Sequence, residues 1–352
     1  MRILFITSQI TDSGGVSSIL SKKANALVQL YNCEVAIAST NDSNSSMFFH
    51  LNVAIDIIFL KTEMTSFHKL YQFKKEIQNI VNIFKPTIIS VADNGLKSFF
   101  LKQFIEKEIK VVYEIHGNET SFYKGDVKGV KAFIRKKILN YYLPKFDAVI
   151  VQKKGFKLPK SNQLVSYIPN FIGTYQQKSL EDKNKIVAVG RIVNSKNYHG
   201  LIRIWNEIHK IHPQKKLHIY GSWNDEILTK RLKDQPNIIL HQPVKDLNEI
   251  YGDASLFLHA SYIESFPMVF LEAMTFGVPI VCFDINQPNI VLDKKNGFVI
   301  KLHDYNKFVE KVLVLLKDDV LRNKFSINAM KRSKNFSEEK VVKEWMKLYQ
   351  KI

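Results

Sequence analysis

Cysteine is almost missing from this chain. Its 352 residues contain two, Cys33 in NCEVAIA and Cys282 in PIVCFD. Both sit in apolar, strand-like runs and read as buried thiols. No disulfide framework and no Cys-based metal site is therefore available, which suits a reducing compartment. Glycine (14) and proline (10) are too sparse for a fibrous chain. No run of about 18 uncharged apolar residues occurs, which argues against a membrane-spanning helix. The opening MRILFITSQ is too short for a signal peptide's apolar region, and no small-residue cleavage site follows. These absences predict a cytoplasmic protein. With 45% hydrophobic residues the chain has ample apolar content for a packed core, and its length suggests two domains.

Acidic residues are also in deficit, 33 against 51 Lys and Arg, for a net charge of +18. The excess is local. Residues 122–160 hold 11 basic and 2 acidic side chains, nearly all of the surplus of residues 1–173. Within that stretch, KGVKAFIRKKILNYYL places Val130, Phe133, Ile134, Ile138, Tyr141 and Tyr142 at helical spacing. Lys128, Lys131, Arg135 and Lys136 fall mainly on the other side. Such a face is either simply solvated or drawn to an anionic membrane surface. No zinc-finger, RNA-recognition or helix-turn-helix signature accompanies the charge, so nucleic acid is not the expected partner.

Strand-like runs alternate with amphipathic helical patterns. They occur at 2–8, 34–40, 55–60, 87–93, 110–116, 148–152 and 164–170. After the polar stretch GTYQQKSLEDKNK (173–185) they resume at 186–191, 216–222, 237–243, 255–261, 280–284 and 298–302. Short apolar strands between helices argue for parallel sheets covered on both faces. The expected fold is α/β, two doubly wound domains in tandem, with ligands outside the carboxyl ends of the strands in a cleft between them.

Four clusters fall at such strand ends. Gly14-Gly15 lets a backbone approach an anion at a helix start, or is only a turn. Gly190, Arg191 and Lys196 follow the eighth strand-like run, and two cations at a strand–helix turn suit a diphosphate or are surface charges. In ESFPMVFLEAM, Glu264 closes a loop, Pro267 fits a first helical turn, and Glu272 lies about two turns on, on a similar face. The amides of Ser265 and Phe266 are expected to face the cleft. Two carboxylates beside two cations look like a sugar-nucleotide site. His116, followed by Gly117, ends a strand in the first half and is either structural or part of the cleft.

Together these elements resemble the retaining glycosyltransferases of family 4, group 1, which have the GT-B fold of two Rossmann-like domains facing a central cleft. The resemblance is carried by Gly14-Gly15, His116-Gly117, YIPNF (167–171), V-G-R-x4-K, HIYG (218–221) and E-S-F-P-M-V-F-L-E-A-M-x2-G-x-P (264–279), and it spans nearly the whole chain. It implies an acceptor-side domain at 1–172, completed by a C-terminal helix at 336–352, and a nucleotide-sugar domain at 173–335. It further implies transfer of a hexosyl or N-acetylhexosaminyl group from a UDP- or GDP-sugar, with retention. The acceptor would be a glycan or lipid-linked chain of lipopolysaccharide, capsule or exopolysaccharide, made at the cytoplasmic face of the membrane.

In that scheme Glu264, His116, Arg191 and Lys196 are catalytic. Arg191 and Lys196 hold the diphosphate and replace a metal ion, so neither metal nor cofactor is expected. Glu264 contacts the sugar and Glu272 the ribose. Gly14, Gly15, Gly190, Ser265, Phe266 and Pro267 line the donor site. The chain departs from the family pattern at Asn289, where Glu is common, and at Gln242, where Gly often appears. The alternatives are a catalytically silent GT-B partner subunit, disfavoured by intact Glu264, Arg191 and Lys196, and a basic nucleic-acid-binding protein.

Overall fold

A computed structural model describes the chain except for residues 41, 43–45, 62–66, 94, 125–128, 159–163, 174, 176–184 and 286–288. Thirteen strands are present among the described residues. They are β1 (Arg2–Thr7), β2 (Glu34–Ser39), β3 (Ile55–Phe59), β4 (Ile88–Ala92), β5 (Lys110–Ile115), β6 (Ala148–Val151), β7 (Leu164–Tyr167), β8 (Lys185–Val189), β9 (Lys216–Tyr220), β10 (Ile238–His241), β11 (Ala254–His259), β12 (Ile280–Phe283) and β13 (Gly297–Ile300). Each coincides with one of the apolar runs read from the sequence. The polar stretch 173–185 lies largely outside the described residues.

The strands form two wholly parallel sheets, ordered β3-β2-β1-β4-β5-β6-β7 and β10-β9-β8-β11-β12-β13. In both, the chain starts in the middle, winds to one edge, then returns to wind the other way. Strand order therefore reverses between β1 and β4 and between β8 and β11, the position beyond whose strand ends such sheets bind ligands. The central strands are buried on both faces, which is why they read as unbroken apolar runs. Leu4 pairs between Ala36 and Ile89, and Phe257 between Val187 and Ile280.

Two compact units result, Met1–Asn170 with Glu338–Ile352, and Phe171–Ser337. The last helix, Glu338–Lys351, buries Val341, Val342, Trp345, Met346, Leu348 and Tyr349 in the first unit, a stripe at helical spacing. Among the described residues no helix is long and apolar enough to cross a membrane.

Candidate active site

The second unit gathers its polar groups at the switch between β8 and β11. Gly190 and Gly221 directly follow β8 and β9, and a Cβ on Gly221 would lie 2.1 Å from the Gly190 carbonyl oxygen. Only glycine permits that contact, which packs the two turns backbone to backbone. Beyond it, Asn194–Lys196 forms a 3-10 turn closed by Asn197 in the left-handed region. The Asn197 side chain accepts from Gly200 N (3.0 Å) and donates to Ala260 O (3.0 Å). Tyr262 N donates to Ser195 O (3.0 Å), so the loops after β8 and β11 are tied together.

These ties bring Lys196 to Glu264. The lysine stem lies over Gly190, and Nζ is 2.5 Å from Glu264 Oε1. His259, the last residue of β11, places Nε2 3.2 Å from the same oxygen. Among the described residues no donor reaches Oε2. Burial alone would push the Glu264 carboxyl up, but His259 and Lys196 outweigh it and hold it at about 2. Burial in turn lowers the His259 imidazole below 6.5 against the pull of Glu264. Nearby, Tyr198 donates to Gly190 O (2.7 Å) and closes the floor.

The remaining donor-site candidates separate. Arg191 follows Gly190 and is exposed. Glu264 and Glu272 do not share a helix face, which corrects the spacing argument. Glu264 lies in the loop before the helix Met268–Thr275, and Pro267 is that helix's N-cap rather than its first turn. Glu272, within the helix, instead accepts from Tyr251 Oη (3.3 Å). Ser265 is half-buried, and the Phe266 ring is buried against Phe336. Asn289 takes a positive φ and its carbonyl accepts from Arg332, while Gln242 is exposed.

In the first unit, the Gly14-Gly15 turn opens the helix Gly15–Tyr31 but already faces a carboxylate. Asp12 Oδ1 accepts from Gly14 N (3.1 Å), and a Cβ on Gly14 would lie 2.8 Å from Asp12 Oδ2. His116 follows β5 with both ring nitrogens engaged, Nε2 on Glu114 Oε2 (3.0 Å) and Nδ1 on Gln152 Nε2 (2.6 Å). Glu114 Oε1 meets the Lys23 ammonium and Ser90 Oγ (2.6 Å). Lys23 also lies 3.9 Å from the Trp345 ring centroid, beneath the C-terminal helix.

One sequence expectation is overturned on the helix Val130–Tyr142. Arg135 is 8% exposed, not on the outer face. Its Nε donates to Phe122 O (3.3 Å) and its guanidinium sits 5.8 Å from the Phe99 ring centroid. An arginine stem can pack on aromatics while its head satisfies a carbonyl, and that combination displaces the expected apolar stripe. Arg135 and Leu139 point inward, leaving Val130 (73%), Phe133 (59%), Ile134 and Tyr141 exposed. Lys131 and Lys136 are exposed among them, and Lys128 lies outside the described residues.

His259 was the residue missed. Its signal was a histidine ending an otherwise apolar, buried strand, but sequence alone does not show which carboxylate it meets. Among the described residues no group of three or more His, Cys, Asp or Glu is placed to hold a metal ion.

Residues 174–332, nearly all of the second unit, match the family model described as glycosyl transferases group 1. The chain is a glycosyltransferase. It is 24% identical over 364 residues to the amylovoran biosynthesis glycosyltransferase AmsD of Erwinia amylovora, covering 98% of each protein. It is 26% identical over 231 residues to the capsular polysaccharide biosynthesis glycosyltransferase CapM of Staphylococcus aureus, covering 64% of this chain and 61% of that one. Among solved structures it resembles S. aureus TarM in complex with fondaparinux, alpha-GlcNAc-glycerol and UDP. The TM-score there is 0.79 at 16% identity, covering 99% of this chain and 100% of the other. The fold is GT-B, two Rossmann-like parallel-sheet domains.

Proposed function

We propose that this glycosyltransferase moves a sugar, with retention at the anomeric carbon, from a nucleotide-diphosphate sugar to a glycan or lipid-linked acceptor of a cell-surface polysaccharide. UDP-sugars are the favoured donors, with GDP-sugars second. The observation that carries this reading is the Lys196–Glu264 pair, held at the ends of neighbouring strands at the switch of the second sheet. A cation and a carboxylate side by side can bind a diphosphate and a sugar's hydroxyls at once. The UDP in the TarM complex and the polysaccharide roles in the names of AmsD and CapM support it.

In this scheme Lys196 and the exposed Arg191 take the diphosphate and neutralise the charge that grows on the leaving group. Glu264 offers Oε2 to the transferred sugar, and Glu272 hydrogen-bonds the ribose. The bond from the anomeric carbon to the phosphate oxygen breaks as the acceptor hydroxyl attacks from the same face, and that phosphate oxygen takes the acceptor's proton. The Ser265 and Phe266 amides, Pro267 and Gly190 frame the donor. His116, its ring fixed by Glu114 and Gln152, forms part of the acceptor wall. The chain's own cations serve where other transferases use a divalent ion, so turnover should persist in EDTA.

The acceptor is proposed to reach the first unit at an anionic membrane surface. Exposed Val130, Phe133 and Ile134 can enter the headgroup layer while Lys131, Lys136 and Lys137 meet its charge. The test is direct. The full chain is screened with UDP, GDP, ADP and CMP and their sugars for thermal stabilisation, then assayed for transfer onto lipid-linked acceptor in vesicles. Stabilisation by UDP or a UDP-sugar and transfer that survives EDTA support the reading. No nucleotide response, or activity lost to EDTA and restored by manganese, would overturn it.

A further inference from the structure

The two groups on Glu264 Oε1 are not equivalent. Lys196 is a flexible ammonium on a 3-10 turn and, in the reading above, also the ligand of the donor's diphosphate. As a diphosphate draws that ammonium away, Glu264 loses its nearest countercharge while only 15% exposed. A carboxylate so buried and unpaired tends to take up a proton or turn toward water. Either outcome removes it from the sugar.

His259 stands where it can prevent this. Its side chain is 3% exposed, stacked on Phe257 (centroids 5.9 Å apart) and met edge-on by Phe270 (4.8 Å). Nε2 lies 3.2 Å from Glu264 Oε1 but off the line of a well-aligned hydrogen bond, and no other polar group among the described residues partners it. Buried ring nitrogens seldom lack an aligned partner, because the unmet bond is destabilising. Here the unmet nitrogen is aimed at the one carboxylate whose other partner is expected to leave.

We propose that His259 is a positioning residue that takes over Glu264 Oε1 when Lys196 turns to the diphosphate, so that Oε2 stays aimed at the transferred sugar. The hand-over rests on the donor-site reading for its ligand, but the His259–Glu264 contact is a property of the chain alone. No proton changes hands: the neutral imidazole keeps its Nε2–H and brings it into line with Oε1 once the ammonium has left. The charged groups that bear on the ring are Glu264 and Lys196.

The experiment is nitrogen-15 histidine NMR on the full chain as wild type, as Lys196→Ala, and as wild type with saturating UDP. Lys196 lowers the His259 titration and Glu264 raises it. Removing the ammonium should therefore move the His259 midpoint upward with the Nε2-protonated tautomer kept, and UDP should move it the same way. An unchanged midpoint in Lys196→Ala overturns the proposal. If UDP binds nowhere, the donor-site reading fails, and the Lys196→Ala comparison still decides the His259 contact. In turnover, His259→Leu keeps the volume and should melt like wild type. Its kcat should fall about ten-fold with donor KM within about two-fold, and His259→Gln, which restores a donor near Nε2, should recover part of the loss. Wild-type kcat in His259→Leu contradicts the role.

Discussion

Each unit holds a lysine, a glutamate and a histidine in contact near the carboxyl ends of its strands, and the two clusters differ in how completely they are satisfied. In the first, Glu114 has both oxygens engaged by Lys23, Ser90 and His116, and His116 is engaged again by Gln152. Lys23 and Glu114 are each 2% exposed. In the second, Lys196 and His259 converge on one oxygen of Glu264, and among the described residues no donor reaches the other. The residue types are the same. Saturation, not composition, separates a rigid wall from a site with an open acceptor atom.

The largest expected contrast comes from deleting each carboxylate. Glu114→Ala strands a buried ammonium beneath Trp345 and should lose about 3–5 kcal/mol in urea melts. Glu264→Ala leaves Lys196 and His259 without their acceptor, but Lys196 is 21% exposed and can reach water, so the cost should be smaller, about 1–3 kcal/mol. Transfer should nevertheless fall at least about a hundred-fold in Glu264→Ala, because the loss falls on the reacting sugar. Similar destabilisation by both substitutions would erase the distinction.

Acid should then act in two ranges, the first of them confined to the second unit. His218 is lowered to about 4, chiefly by burial, and His241 and His259 are lowered too. For each, the unfolded chain binds its proton first, so stability falls as pH drops from 6.5 toward 4. Glu114 is held at about 2 against 4.5 unfolded: burial raises it, but Lys23 and His116 prevail. Its contribution is full above pH 4.5 and is lost between there and pH 2, as is that of Glu264. Chemical melts from pH 8 to 3 should show a second-unit loss first, flattened by His218→Phe, and a loss in both units below 4.5. A single transition unaffected by His218→Phe would contradict this order.

Much of this was legible in the sequence, and the illegible part has physical causes. The central strands were readable because burial on both faces makes them continuous apolar runs, and the edge strands, half-exposed as they are, by their spacing between helical patterns. Gly190, Lys196 and Glu264 stood out because strand-end loops carry chemistry in such sheets. Arg135 misled because helical periodicity counts an arginine as polar, although its stem packs as hydrocarbon. Glu272 seemed to share a face with Glu264 because eight residues were counted as two helical turns, although the first of them lie in the loop before Met268. The His259 contact depends on the tie between the β8 and β11 loops, which no local pattern encodes.

The smallest contrast tests the edge of the first cluster. Tyr349 Oη donates to Ser90 Oγ at 3.3 Å, so Tyr349→Phe should cost about 0.5–1.5 kcal/mol and leave turnover per folded molecule unchanged.

The most direct measurement is calorimetric binding of UDP to wild type, Arg191→Ala, Lys196→Ala and Tyr349→Phe. The second-unit variants should lose at least about ten-fold in affinity while still folded at the assay temperature, since each removes a charge-assisted contact to phosphate. Tyr349→Phe should bind as wild type does. Equal affinity in all four proteins would contradict the assignment of the donor's diphosphate to Arg191 and Lys196.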